Sequence, residues 1–351
     1  MAGAMTVVSC PAPYGAGGMG RHLAEVVAAA RAAGDEVRYF ATSADAADSA
    51  ATAIPPRWSQ LLFRFTPLRW ARAEHAWLGN AEFDRAVARK LPAGRKLFGF
   101  QGSVLATFRR ARALGYQELH LEAAGAHVDH ARRMFDAAYQ ANPLERDWLG
   151  PRLLARTKRE YELADVIWIN SEYSRETFVA AGVDPGKLRR RRLTVDARYR
   201  PAADSEPHEG LNIVYVGGLS VAKGVPILIE ALSGLDDLDA RLTLVGGSGS
   251  PGMRSFIDAA IRRDRRISLA PGDPLPHLQS ADLCVHPSYC DGYGYGPAEA
   301  MACGVPVVVT EDTGMKEEIA PGKDGWIVPT GDVFSIVDIL RNFKPTKSPS
   351  A

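Results

Sequence analysis

Residues 291–309 read DGYGYGPAEAMACGVPVVV. Gly292, Gly294 and Gly296 alternate ahead of Pro297. Proline suits the first position of a helix, where its missing N–H costs nothing. The spacing therefore predicts a helix from Pro297 to Cys303, stopped by Gly304, and then a buried strand over Val305 to Thr310. A glycine turn that feeds a helix N-terminus presents backbone N–H groups, here those of Tyr295 and Gly296, and the positive end of the helix dipole, which suits phosphate. Asp291 enters the turn and Glu299 lies on the helix. An anion-binding loop between two carboxylates fits a sugar joined to a phosphate. By spacing alone, the loop and helix of any α/β domain, with its acids facing water, is the favoured reading.

The flanks narrow that choice. HPSY precedes the stretch (His286 to Tyr289), and Gly314, Glu318 and GKDGWIVP (Gly322 to Pro329) follow it. Together these resemble the signature of the retaining family 4 glycosyltransferases of the GT-B fold. Asp291 stands where that family's first glutamate is usual, and Glu299 is the second acid. The resemblance implies an α/β protein of two Rossmann-like doubly wound domains facing across a cleft. It implies transfer of a sugar from a UDP- or GDP-sugar to an acceptor hydroxyl, with retained anomeric configuration. No metal and no cofactor are expected; the nucleotide-sugar donor is a substrate. Glu299 would bind ribose hydroxyls and Asp291 sugar hydroxyls, along the loop Gly292, Tyr293, Gly294, Tyr295 and Gly296.

The rest of the chain extends the match. A strand at Thr6 to Ser9, the glycine loop PAPYGAGGMG, a helix ending at Gly34 and a strand at Val37 to Ala41 open a doubly wound domain. Gly17 and Gly18 are candidates to approach a diphosphate or an acceptor, and a purely structural turn remains open. After the strand Glu118 to Glu122, His127 falls where the family often carries a histidine near the donor sugar, although a helix-capping histidine reads the same. Lys223, after the strand Leu211 to Val216, corresponds to the family's diphosphate-gripping lysine. The arginine expected five residues earlier is Gly218. Gly247 lies in a loop that the resemblance places near the nucleotide, and Ala270 to Gly272, with Pro271 at their centre, on the nucleobase side. The expected domains are residues 1–200, on the acceptor side, and 210–343, on the nucleotide-sugar side, joined by a polar linker.

Composition bounds the remainder. Of 351 residues, 46% are hydrophobic and 24% charged, which is ordinary for a globular protein. Cys10, Cys284, Cys290 and Cys303 form no C-x-x-C pair and read as buried thiols. The start lacks a basic region followed by an apolar segment, so a cytoplasmic protein is expected. The net charge of +1 conceals a basic stretch, residues 1–200, and an acidic remainder. Within 57–78, Trp58, Trp70 and Trp77 mix with arginines, with Pro67 between them. That stretch fits either peripheral contact with the inner face of a membrane or core helices with an arginine-rich outer face. Helices are expected over Glu82 to Leu91 and Gln101 to Leu114. The acceptor (glycan, lipid-linked or small molecule) is not written in the residues. Arg189 to Arg192 form no nucleic-acid interface, having no second basic cluster, and read as a solvated edge strand. The alternatives are a non-catalytic nucleotide-sugar-binding protein of this fold, a nicotinamide oxidoreductase, and a GT-B epimerase or phosphorylase. The tail KPTKSPSA stands where the family usually continues into a further helix.

Overall fold

The computed structural model describes residues 5–56, 58–65, 71–203 and 208–344, the side chains of residues 60 and 63–65 excepted. The chain divides into two units, residues 1–132 with 146–193, and residues 133–145 with 194–351. Pro67, Trp70, most of the polar linker's centre and most of the KPTKSPSA tail lie outside the described residues.

The first unit holds a seven-stranded parallel sheet in the order β3-β2-β1-β4-β5-β6-β7. Its strands are β1 (Met5–Ser9), β2 (Glu36–Ala41), β3 (Ala51–Ala53), β4 (Lys96–Phe100), β5 (Glu118–Glu122), β6 (Val166–Ile169) and β7 (Leu188–Arg190). Its helices are α1 (Gly17–Ala32), α2 (Trp58–Phe65), α3 (Arg72–Lys90), α4 (Leu105–Ala113), α6 (Pro151–Leu163) and α7 (Glu172–Ala180), while α5 (Val128–Ala141) belongs to the second unit from residue 133 onward. Helix α1 ends at Ala32. Beyond it, Gly34 adopts φ +83°, and its N–H and that of Asp35 close the last carbonyls of Arg31 and Ala30. Leu23, Val26, Val27 and Ala30 of α1 then pack on Val8, Val37 and Tyr39 of the sheet.

Two helices begin elsewhere than the sequence suggests. Helix α3 starts at Arg72, ten residues before Glu82. Glu82 serves instead as a cap, its carboxylate accepting the N–H groups of Trp58 and Ser59 at the start of α2. Helix α4 starts at Leu105 rather than Gln101. The Gly102, Val104 and Leu105 N–H groups donate to buried Glu160, and those of Ala106 and Thr107 to buried Asp84. Arg156 pairs with both acids. Carboxylates supplied by α3 and α6 thus fix this N-terminus, a long-range contact that local spacing cannot report.

The second unit carries a six-stranded parallel sheet in the order β10-β9-β8-β11-β12-β13. Its strands are β8 (Leu211–Val216), β9 (Ala240–Val245), β10 (Ile267–Ala270), β11 (Leu283–His286), β12 (Val307–Thr310) and β13 (Gly325–Val328). Its helices are α8 (Val225–Ser233), α9 (Pro251–Arg263), α10 (Leu275–Ser280), α11 (Tyr295–Ala302) and α12 (Val333–Asn342). Alternate residues of β8 feed opposite faces: Leu211, Ile213 and Tyr215 join one core, Val214 and Val216 the other. The same alternation puts Val308 in the first core and Val307 and Val309 in the second. A strand buried on both faces needs apolar residues at every position, and each fully buried valine contributes about 1.5–3 kcal/mol. Ala138, from the end of α5, packs into the first of these cores.

In that strand order the first strand of the unit, β8, lies beside the fourth, β11. This is a topological switch point, where loops diverge to opposite faces and leave a crevice at the carboxyl strand ends.

Candidate active site

At the switch point Lys223 follows β8 and Asp291 follows β11. Lys223 Nζ lies 2.6 Å from Asp291 Oδ2, and His286 Nε2, from the last residue of β11, lies 3.0 Å from the same oxygen. The Tyr293 N–H donates to Asp291 Oδ1 at 3.4 Å. Burial pushes the Asp291 carboxyl up, but the Lys223 charge and the His286 hydrogen bond outweigh it and hold the group well below the usual carboxylate range. His286 is fixed from behind by Tyr215, whose ring stacks on it at 5.7 Å between centroids and 7° between planes. Its Nδ1 is buried with no hydrogen-bond partner among the described residues.

Backbone contacts hold the two loops in register. Gly224, at φ +71°, would place a Cβ 1.8 Å from the Pro287 carbonyl oxygen, so only glycine lets the Lys223 turn lie against the β11 exit. The Tyr289 N–H donates to Ala222 O at 3.0 Å. Asp291 is bridged in parallel to Thr313: its N–H donates to Asp312 O, and its carbonyl accepts from Gly314 N–H, each at 2.9 Å. The loop after β12 therefore braces the acid.

Helix α11 begins at Tyr295, with Gly294 as N-cap at φ +97°. The expectation that it starts at Pro297 is corrected by two residues. Pro297 occupies the third helical position, still within the first turn, where N–H groups have no intrahelical acceptor. Gly296 explains the earlier start. A Cβ there would lie 2.3 Å from the Val216 carbonyl oxygen, so glycine allows α11 to seat its first turn on the end of β8. The helix is stopped as expected, with Gly304 at φ +78°. Glu299 is buried on α11. Burial and then the Glu299 charge push the thiol of Cys284, on β11, up to about 12.

The other candidates are distributed as follows. Gly292 and Tyr293 are buried in the glycine turn and Tyr295 is half-buried. The exposed Gly218 follows β8; its carbonyl accepts the Tyr215 hydroxyl at 2.9 Å, and a Cβ would meet nothing within 4 Å. Exposed Gly247 accepts from Leu219 N–H at 3.0 Å, beside the β8 exit. Pro271 is exposed just beyond β10. Gly17 and Gly18 form the exposed first turn of α1 in the first unit. His127 also belongs to the first unit, five residues after β5 and ahead of α5. It is 4% exposed, with its ring against Tyr161 and Phe178 and its N–H donating to Thr177 Oγ1. Lys223 and Asp291 are thus brought into contact within one unit.

Two groups carry polar chemistry that spacing did not single out. His286 was visible as part of HPSY, and its place at a strand end five residues before Asp291 is the signal that could have found it. In the first unit, Glu122 is fully buried at the carboxyl end of β5. It receives Arg191 at 2.8 and 3.2 Å and lies 3.1 Å from His22 Nε2 of α1. Arg191 also stacks over Trp168 at 4.3 Å. Of the four consecutive arginines, Arg189 and Arg190 are exposed on edge strand β7, whereas Arg191 turns inward. Among the described residues no group of three or more His, Cys, Asp or Glu side chains could hold a metal ion.

Residues 210–343 match the family model described as Glycosyl transferases group 1. A D-inositol 3-phosphate glycosyltransferase of Arthrobacter sp. (strain FB24) is 29% identical over 206 residues, which cover 54% of this chain and 46% of that protein. The chain thus spans about half the length of the curated relatives it matches. The sucrose-phosphate synthase tll1590 of Thermosynechococcus elongatus superposes with a TM-score of 0.72 at 20% identity, over 97% of this chain and 90% of that one. Anabaena Alr3699/HepE in complex with UDP-glucose superposes with a TM-score of 0.66 at 17% identity, over 96% and 89%. The second unit is therefore a glycosyl transferases group 1 domain, and the chain has the GT-B fold.

Proposed function

We propose that this protein is a retaining glycosyltransferase, moving a sugar from a nucleoside-diphosphate sugar to an acceptor hydroxyl without a metal ion. The observation that carries the proposal is the Lys223–Asp291–His286 cluster beside the first turn of α11, at the switch point of a sheet whose domain family transfers glycosyl groups. Breaking a glycosidic bond to a diphosphate leaves negative charge on the departing phosphate. An ammonium and a helix N-terminus fixed in advance stabilise that charge without reorganising. Lys223 has three N–H donors; one holds Asp291, and two remain for phosphate oxygens. The neighbour complexed with UDP-glucose supports a UDP-sugar donor, with a GDP-sugar as the alternative.

Asp291, kept ionised by its neighbours, is an acceptor for sugar hydroxyls. Glu299 is proposed to accept from ribose hydroxyls. His127 is proposed to contact the transferred sugar, and Gly17 and Gly18 to serve the acceptor side. Neither acid is assigned as a nucleophile: the roles are positional. A cytoplasmic location, with the donor supplied there, belongs to the same proposal.

The test is release of nucleoside diphosphate from a panel of UDP- and GDP-sugars with candidate acceptors, in the presence of EDTA. Product anomers would be assigned by NMR. Lys223→Ala and Glu299→Ala should each lower turnover at least about tenfold. Turnover that needs a divalent ion, or that survives both substitutions, would overturn the assignment. A second reading, a non-catalytic nucleotide-sugar binder, draws on Gly218, which offers no charge where the family has an arginine. It would show binding with neither transfer nor donor hydrolysis.

A further inference from the structure

Helix α2 presents an apolar face that the proposed chemistry does not use. Trp58 is 78% exposed, Leu61 52% and Leu62 42%. Their spacing of three and four residues puts them on one side of the helix. One flank of the helix start is anchored: Ser59 is buried, and its N–H and hydroxyl both donate to Glu82 of α3, at 3.0 and 2.6 Å. Helix α2 is thus held at its start by Glu82, with a tryptophan and two leucines turned to solvent. Such a large exposed apolar face is uncommon on a protein with nothing to bind there.

The sequence around this face has one sign of charge. Residues 57–72 contain Arg57, Arg64, Arg69 and Arg72 and no acid. An apolar strip led by tryptophan in a purely cationic stretch matches the two layers of an anionic bilayer surface. The indole and leucines enter the headgroup–acyl boundary, and a stretch of sequence with only positive charge is complementary to lipid phosphates. A second copy of this chain would bring a stretch of the same sign of charge, and an acyl-poor acidic partner would leave Trp58 and Leu61 in water.

We infer that the α2 face docks this protein on the surface of an anionic phospholipid bilayer. The contact is peripheral: among the described residues no helix is long and apolar enough to cross a membrane. It rests on α2 and on the charge of the sequence around it, and is independent of the donor chemistry.

The experiment is co-sedimentation of the full chain with vesicles of phosphatidylcholine alone, and of phosphatidylcholine mixed with phosphatidylglycerol. The wild type is compared with the triple variant Trp58→Ser, Leu61→Ser, Leu62→Ser. All three positions are exposed, so the fold should persist, as circular dichroism and oligomeric state by light scattering would verify. The wild type should pellet with anionic vesicles and not with neutral ones, with retention falling as salt is raised. The triple variant should lose at least about tenfold in partition. No retention on anionic vesicles would overturn the inference. So would retention that the triple variant leaves intact, or a wild-type dimer that the variant dissociates without any vesicle binding.

Discussion

Replacing Lys223 by alanine tests the electrostatics of the switch point apart from any substrate. In the folded protein Asp291 is held ionised by Lys223 at 2.6 Å and His286 at 3.0 Å. Removing one partner of a fully buried ion pair costs about 3–5 kcal/mol. Here the two side chains are 31% and 19% exposed, and solvent screening reduces that to about 2 kcal/mol. The sign with pH follows from linkage. A carboxylate whose folded pKa is depressed contributes stability that is present above its unfolded pKa, near 4, and is lost as pH falls through the folded value. In Lys223→Ala burial still opposes the charge while the main attraction is gone, so the Asp291 pKa rises. The stability difference between the two proteins should therefore be largest at neutral pH. It should shrink once pH falls below the variant's Asp291 pKa, down towards the wild type's. Urea unfolding across pH, with carboxyl carbon NMR on Asp291, measures both quantities. Equal stability at neutral pH, with an unshifted Asp291 titration, would refute the reasoning.

Three further substitutions probe other parts of the account. Gly296→Ala puts a methyl 2.3 Å from Val216 O, so α11 must withdraw from β8. We expect a loss of about 2–3 kcal/mol in thermal or chemical unfolding and a weaker thermal shift with UDP. Gly218→Arg enters open space and should leave stability unchanged while tightening diphosphate binding about tenfold, as calorimetry would show; no gain would mean that no phosphate lies within its reach. Glu122→Ala strands Arg191 and His22 in a buried site and should cost about 3–5 kcal/mol, with Glu122→Gln recovering part of it.

Much of this architecture was legible because parallel strands buried on both faces must be apolar throughout. Val305 to Thr310 and Leu211 to Val216 announce themselves for that reason. Glycines were legible as punctuation: Gly34 and Gly304 do end helices at positive φ. Less legible were features set by distant partners. Glu82, Asp84 and Glu160 cap helices that lie far from them in sequence, so α4 begins later than its composition suggests. Gly296 was read as part of an anion-binding turn; that it also lets a helix approach the Val216 carbonyl closely required the fold. Asp291 and Lys223 could be named from motif position, but their mutual contact, and the part of His286 in it, required the fold. Arg191 looked like its three exposed-looking neighbours. Only the register of β7 beside β6 turns it towards Glu122.

The central claim is that the second unit's switch point holds the diphosphate of a nucleotide through Lys223 and the first turn of α11. Calorimetric titration of the wild type and Lys223→Ala with UDP and with uridine, and with GDP and guanosine, isolates the diphosphate contribution. The favoured diphosphate should bind the wild type far more tightly than its nucleoside, and Lys223→Ala should lose at least about tenfold of that advantage. Equal binding of nucleoside and nucleoside diphosphate, or an advantage that Lys223→Ala leaves untouched, would contradict it.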